Sequence, residues 1–215
     1  DLARGFAEGC LRAGAVWGGG ETPGLKNVVC DDAIALAGSA IGTIAPKSLR
    51  IAGDVSPGDR IVMMASSGIH ANGLTLCRKI AEHLPDGFLS RLPNGQSFGE
   101  ALLAPTIIYA PFIRACQARS AQLKYAVNMT GHGWRKIMRL EADLDYIVET
   151  PPAEMPPVFD FLLETGLIEK REAYATFNMG VGFVVIAAPE ESERIIAIAR
   201  ETGLTAWDGG KVAPG

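Results

Sequence analysis

The sequence predicts a mixed class, α+β or α/β, and two observations carry that reading. Short apolar runs with strand character alternate along the chain with runs of helical period. Glycine is also in excess, 25 of 215 residues where average usage near 7% would give about 15. Much of that excess falls in a few loops, at residues 18–24, 68–73, 131–133 and 209–210. Excess confined to loops marks special backbone conformations, not disorder.

The elements follow in order. Residues 1–15 carry Leu2, Phe6 and Cys10 at i, i+4 spacing and predict a helix. Residues 34–44, apolar and rich in small side chains, predict a buried strand. Turn signals, Ser56-Pro57-Gly58-Asp59 among them, fill residues 46–59 and place a domain boundary near residues 51–57. Beyond it, strands are predicted at 60–65, 125–130, 144–149, 181–188 and 205–212. Helices are predicted at 74–84, the later part of 106–118, 134–141, 158–165 and 189–202. Gly166 reads as a helix C′ residue. The last helix has Pro189 at its start and Gly203 at its end. Residues 85–99 read as a long loop. There is no internal repeat and no low-complexity tract.

Bulk properties exclude several classes. Net charge is −4 and no Lys/Arg block exists, which argues against binding nucleic acid through a basic face. No apolar run approaches the ~18 residues of a membrane span. No signal peptide is visible, and the first residue is not Met. Cys10, Cys30, Cys77 and Cys116 form no C-x-x-C pair and read as reduced, mostly buried thiols of a cytoplasmic protein.

Two loops carry the chemistry. Ala65-Ser66-Ser67-Gly68-Ile69-His70-Ala71-Asn72-Gly73 joins a predicted strand to a predicted helix. Glycine lets a ligand reach the backbone there, and a helix start offers unpaired N–H groups. Ser66 and Ser67 add hydroxyls, His70 an imidazole and Asn72 an amide. The competing reading is a helix cap, with Asn72 capping and Ser67 turning the chain; composition does not separate the two. Thr130-Gly131-His132-Gly133 repeats the logic, its alternative being a tight turn with His132 exposed. Two such loops point to a small phosphorylated ligand. No G-x-S-x-G elbow is present, which argues against a serine hydrolase.

Other positions are weaker. Glu21 and Thr22 follow three glycines, and a carboxylate beside flexible backbone suits Mg²⁺. Asp31-Asp32 either joins it or forms a solvated turn, and the turn is favoured. Asn178 is the strong polar handle of residues 176–182, a stretch that also reads as a strand start whose glycines permit close packing. Trp17, Trp134 and Trp207 read as core or interface.

Together these motifs resemble the aminoimidazole ribonucleotide (AIR) synthetase family, also called phosphoribosylformylglycinamidine cyclo-ligase. Gly19-Gly20-Glu21-Thr22 is similar to its G-G-E-T, and Pro57-Gly58-Asp59 with residues 65–73 to its P-G-D…S-S-G-x-H-x-N-G. Residues 99–106 with Tyr109 resemble G-E-x-L-L-x-P-T-x-x-Y, and residues 176–182 resemble T-F-N-M-G-V-G. Trp207 falls where the family has a late tryptophan.

The resemblance implies an α+β C-terminal domain, an α/β sandwich of mixed sheet and packed helices, over residues 55–215. Residues 1–54 would be the tail of an N-terminal ATP-binding, dimerising domain, most of which would precede Asp1. It implies ATP and Mg²⁺ as cofactors, a phosphorylated small substrate and a homodimer. Ser66, Ser67, Gly68, Asn72, Gly73, Asn128, Thr130, Gly131, Gly133 and Asn178 would bind substrate or phosphate. His70 and His132 are the catalytic candidates, and Glu21 and Thr22 would lie near nucleotide or metal. The implied reaction activates an amide oxygen as its phosphate, which an amine then displaces.

The second loop departs from the family's H-I-T-G-G-G. Asn128 stands in place of the leading His, and His132 in place of the middle Gly. A bulkier side chain in a phosphate loop predicts that His132→Gly changes ligand preference more than stability. The stretch at residues 24–29 also falls short of the family's E-M-P-G. These departures keep two alternatives open. One is a kinase or maturation enzyme of the same superfamily, of the thiamine-phosphate kinase, selenide dikinase or hydrogenase-maturation type. The other is a non-catalytic binding or assembly subunit.

Overall fold

The structure, a computed structural model, describes residues 1–30, 33–140 and 142–215. Asp31 and Asp32, weighed above as a turn or a metal ligand, lie outside the described residues. The chain divides into two compact units, residues 1–50 and 51–215.

The first unit contains helix α1, Leu2–Ala13, which ends at Gly14 in a left-handed cap. Phe6 lies against Trp17 with ring centroids 5.5 Å apart, and the Trp17 indole N–H donates to the Gly19 carbonyl. The buried strand expected at residues 34–44 is not formed: the segment has no ladder partner, and Ile34 and Ile41 are exposed. Apolar composition makes a strand only where another edge completes its hydrogen bonds, and the first unit has no strand among its described residues.

The second unit is built on five strands: β1 Arg60–Ala65, β2 Tyr125–Asn128, β3 Leu144–Val148, β4 Val181–Ala187 and β5 Ala206–Pro214. Their order is β2-β4-β1-β5-β3. The α+β class is therefore observed. The mixed sheet is not, because every neighbouring pair is antiparallel. All seven residues of β4 are buried, as an uninterrupted apolar run in a central strand requires.

One sheet face presents Val62, Met64, Val185 and Ala187 to helices α4, Ala110–Ala118, and α7, Pro189–Glu201. Phe112 and Cys116 of α4 and Ile195, Ile196 and Ala199 of α7 fill that layer. The other face carries Ile61, Met63, Val184 and Ile186 toward Met129 and Ile137. A further cluster joins α2, Leu74–His83, to α3, Phe98–Leu102, and α5, Pro157–Glu164, through Cys77, Ile80, Phe98, Phe159 and Leu162. Gly166 does take the left-handed conformation after α5.

Three local results differ from the sequence expectation. The helix expected at 134–141 is a 3₁₀ segment, Gly133–Arg139, interrupted at Met138. Position 141 lies outside the described residues. A helix not anticipated, α6 Lys170–Thr176, precedes the Asn178 turn. Part of the expected loop at 85–99 is ordered by Ser97, whose hydroxyl caps α3 while the Glu100 carboxylate accepts the Ser97 N–H at 2.8 Å.

Candidate functional site

Topology brings the two loops together. β1 and β2 both pair with β4 and both run antiparallel to it, so they run parallel to each other. Their C-terminal ends meet at the start of β4, where Ala65 pairs with Val181 and Asn128 with Phe183. The loop after β1, the loop after β2 and the Asn178–Gly182 turn therefore share one end of the sheet.

Asn178 is the hub of that end. Its side chain is fully buried. Its Oδ1 accepts the Ser66 hydroxyl at 2.8 Å and the Gly180 N–H at 3.0 Å, and its Nδ2 donates to the Gly68 carbonyl at 2.8 Å. Its backbone carbonyl accepts the Trp134 indole N–H at 2.8 Å. One residue thus grips the first loop by side chain and the segment after the second loop by backbone. Asn178 and Ser66, expected to touch substrate, lie beneath the loops with their polar atoms turned to one another. A buried amide satisfied in this way fixes geometry.

Several other loop donors are also committed inward. The Ser66 N–H donates to Gly180 O, and the Ser67 N–H to His70 Nε2 at 3.3 Å. The Ser67 hydroxyl donates to Pro105 O at 2.6 Å. Asn72 does not cap α2; the N-cap is Gly73, in the left-handed region at φ 75°. Instead Asn72 Oδ1 accepts the Gly131 N–H at 2.8 Å, tying the first loop to the second. A Cβ at Gly73 would strike the Phe177 ring, so glycine is required there by space as well as by φ. Gly133 is buried, and its N–H donates to Thr130 O.

Between these loops and α4 lies a cleft of about 630 Å³. His70, Ala71 and Asn72 line one side, and Asn128 and Thr130 a second. Residues 106–110 with Ile113 and Arg114 form a third, and Gly182 and Phe183 complete it. The Tyr109 hydroxyl donates to Ala65 O at 2.7 Å, and its ring stacks on Phe183 at 5.0 Å. A Cβ at Gly182 would collide with that hydroxyl and with His70 Cε1. His70 is 7% exposed, and burial lowers its pKa below the ordinary imidazole value. It is held neutral, with Nε2 as an acceptor and the proton on Nδ1.

Of the expected site residues, His70, Asn72, Asn128 and Thr130 line the cleft. Gly68, Gly73, Gly131 and Gly133 shape the loops around it without lining it. His132 is exposed at φ 80° and does not line the cleft, so the imidazole that replaces the family's glycine points elsewhere. Glu21 and Thr22 belong to the first unit, in an exposed segment without regular structure. Arg114 and Thr106 were not anticipated. One signal was available: Arg114 is the sole charge in residues 101–118.

No carboxylate lines the cleft, and no three His, Cys, Asp or Glu side chains gather to hold a metal among the described residues. The cleft by itself does not fit Mg²⁺. All four cysteines are free; Cys77 and Cys116 are buried, with thiols pushed up to about 12, whereas Cys30 is exposed. No helix among the described residues is long and apolar enough to cross a membrane.

This end of the sheet carries the family's motifs, and comparison with known proteins agrees. The family described as AIR synthase related protein, C-terminal domain, matches residues 56–215, and the chain belongs to it. Across its full length the chain is 34% identical to phosphoribosylformylglycinamidine cyclo-ligase of Clostridium acetobutylicum, spanning 63% of that protein. It is also 34% identical to the protein of that name from Methanococcus maripaludis, over 98% of this chain and 60% of that one. The chain thus spans less than two thirds of these curated relatives. Among solved structures, T. maritima PurL complexed with FGAR matches 78% of this chain and 26% of its own, with TM-score 0.46 and 18% identity.

Proposed function

We propose that this chain forms the acceptor-substrate half of an ATP-dependent enzyme of the cyclo-ligase type. The cleft holds a small phosphorylated substrate whose amide oxygen is activated by phosphoryl transfer. The observation that carries this reading is the parallel run of β1 and β2, which delivers both motif loops to one cleft beside β4. Neutral donors suit such chemistry, since the developing charge is spread over oxygens and preorganised dipoles stabilise it without reorganising. Asn72, Asn128 and Thr130 are among the neutral polar groups that would orient the amide. ATP and Mg²⁺ enter this reading as co-substrate and counter-ion, supplied outside the cleft wall. A homodimer formed through the first unit also belongs to it.

The test is phosphate release from ATP by the complete protein, against a panel of amides and phosphoribosyl compounds. Release stimulated by one of them supports the reading, and none with any of them overturns it. One observation favours a second reading, a ligand-binding subunit without turnover: His70, the one imidazole on the cleft wall, is buried with Nε2 already engaged. Binding of a panel compound without phosphate release would establish that alternative.

A further inference from the structure

The loops of this site have the composition of an anion cradle, yet several donors that would form one are already used. The N–H groups of Ser66, Ser67, Gly131 and Gly133 bond to protein acceptors. Both serine hydroxyls bond to Asn178 and Pro105. The second loop leads into a seven-residue 3₁₀ segment that is interrupted before its end, so no long helix dipole stands behind it. His70 is held neutral by burial. The start of α2, which no side chain caps, still offers its backbone dipole, so a full counter-charge for an anionic group is what a side chain has to supply.

Arg114 is the one charged residue among those lining the cleft. It projects from α4 one position after Ile113, on a helix anchored from its other face by the buried Phe112 and Cys116. Across the same space stand Asn128 and Thr130. Beside it, Ile107, Tyr109, Ile113 and Phe183 give an apolar wall. A guanidinium next to apolar surface meets an oxyanion with less competition from water, and its planar fork matches phosphate or carboxylate oxygens two at a time.

We propose that Arg114 is the anion-recognising residue of this cleft, binding the phosphate or carboxylate of a small ligand whose body lies on the Tyr109–Phe183 wall. The proposal rests on reading the cleft as the acceptor-substrate site, and it moves recognition of the anion from the 130–133 loop to α4. It assigns the discrimination between phosphorylated and unphosphorylated ligands to one side chain.

The experiment titrates the full chain with ribose 5-phosphate and with ribose, at low and at high salt. Arg114→Gln and Arg114→Lys are run alongside, with melting temperatures to verify folding. The native chain should prefer ribose 5-phosphate, with a preference that shrinks as salt rises. Arg114→Gln should weaken ribose 5-phosphate binding about ten- to a hundredfold, the scale of a charge-assisted hydrogen bond. It should leave any ribose binding unchanged, and Arg114→Lys should retain part of the preference. Equal binding of the two sugars by the native chain overturns the proposal, as does undiminished ribose 5-phosphate binding by Arg114→Gln. The two readings fail separately. Arg114-dependent binding without phosphate release from ATP sinks only the enzyme reading, whereas release with intact selectivity in Arg114→Gln sinks only this one.

Discussion

The side-chain oxygen of Asn72 accepts the backbone N–H of Gly131 at 2.8 Å, joining two loops that leave different strands. An amide whose sequence setting suits either a helix cap or a ligand site instead ties one loop to the other. Asn72→Ala should cost about 1 kcal/mol in overall stability, the usual net worth of one hydrogen bond. The local effect should be larger, with amide hydrogen exchange at Gly131 rising roughly tenfold. Asn72→Asp keeps the acceptor and should keep the protection. Exchange followed by NMR on the three proteins checks this, and equal Gly131 rates in all three would refute the tie.

Asn178 has more at stake because it is fully buried and bonded through both its side-chain oxygen and its side-chain nitrogen. Asn178→Ala strands the Ser66 hydroxyl, the Gly68 carbonyl and the Gly180 N–H at once, and should destabilise by about 3 kcal/mol. Ser66→Ala leaves Gly180 still bonded to Asn178 Oδ1 and should cost about 1 kcal/mol. Urea unfolding of both variants measures the ratio. Similar losses would mean that Asn178 is not the hub.

His70 makes stability depend on pH in a definite direction. Its folded pKa is lowered by burial, so the unfolded chain takes up the proton first. Stability from this group should be complete above the unfolded value of about 6.5 and fall as pH drops below it. Protonation would also place a proton on Nε2, where the Ser67 N–H already donates. Denaturant unfolding between pH 7.5 and 5 should show this decline in the native chain and a flatter profile in His70→Gln. The carboxylates of Glu100 and Glu149, with lowered pKa values, act only at lower pH.

His132 occupies left-handed backbone, which costs a side-chain-bearing residue about 1–2 kcal/mol. Glycine relieves that strain but makes the unfolded chain freer by roughly 0.4–1 kcal/mol. His132→Gly should therefore leave stability equal or higher by up to about 1 kcal/mol. Because His132 does not line the cleft, affinity for ribose 5-phosphate should not change. A melting curve and one titration suffice, and a selective loss of affinity would restore the role that the loop's sequence suggests.

Sequence alone revealed most of the regular structure of the second unit, because its elements are declared by core periodicity. The all-apolar run of β4 and the Pro-to-Gly punctuation of α7 are local signals with few alternatives. Residues 34–44 misled because a strand is defined by its partner edge. The α6 helix was missed because its opening Lys170-Arg171-Glu172 is exposed and shows no apolar period; Ala173 is its one buried residue. The site was legible in part. Its loops could be named, but not where their donors go, since Ser66 finds its partner at Asn178 and Gly131 at Asn72. Those pairings belong to the strand order, which no local window contains.

Strand order also governs how this chain is made. Met63, at the centre of the sheet, pairs with Val184 on one side and Trp207 on the other, each more than a hundred residues later. During synthesis β1 emerges with both edges unpaired and must wait until residues 181–187 and 206–214 have been made. Such distant pairings slow folding and leave an apolar ribbon open to self-association meanwhile. The nascent protein's hazard is therefore concentrated in residues 60–65, and loss of residues 206–215 would deprive that ribbon of the whole of one neighbour.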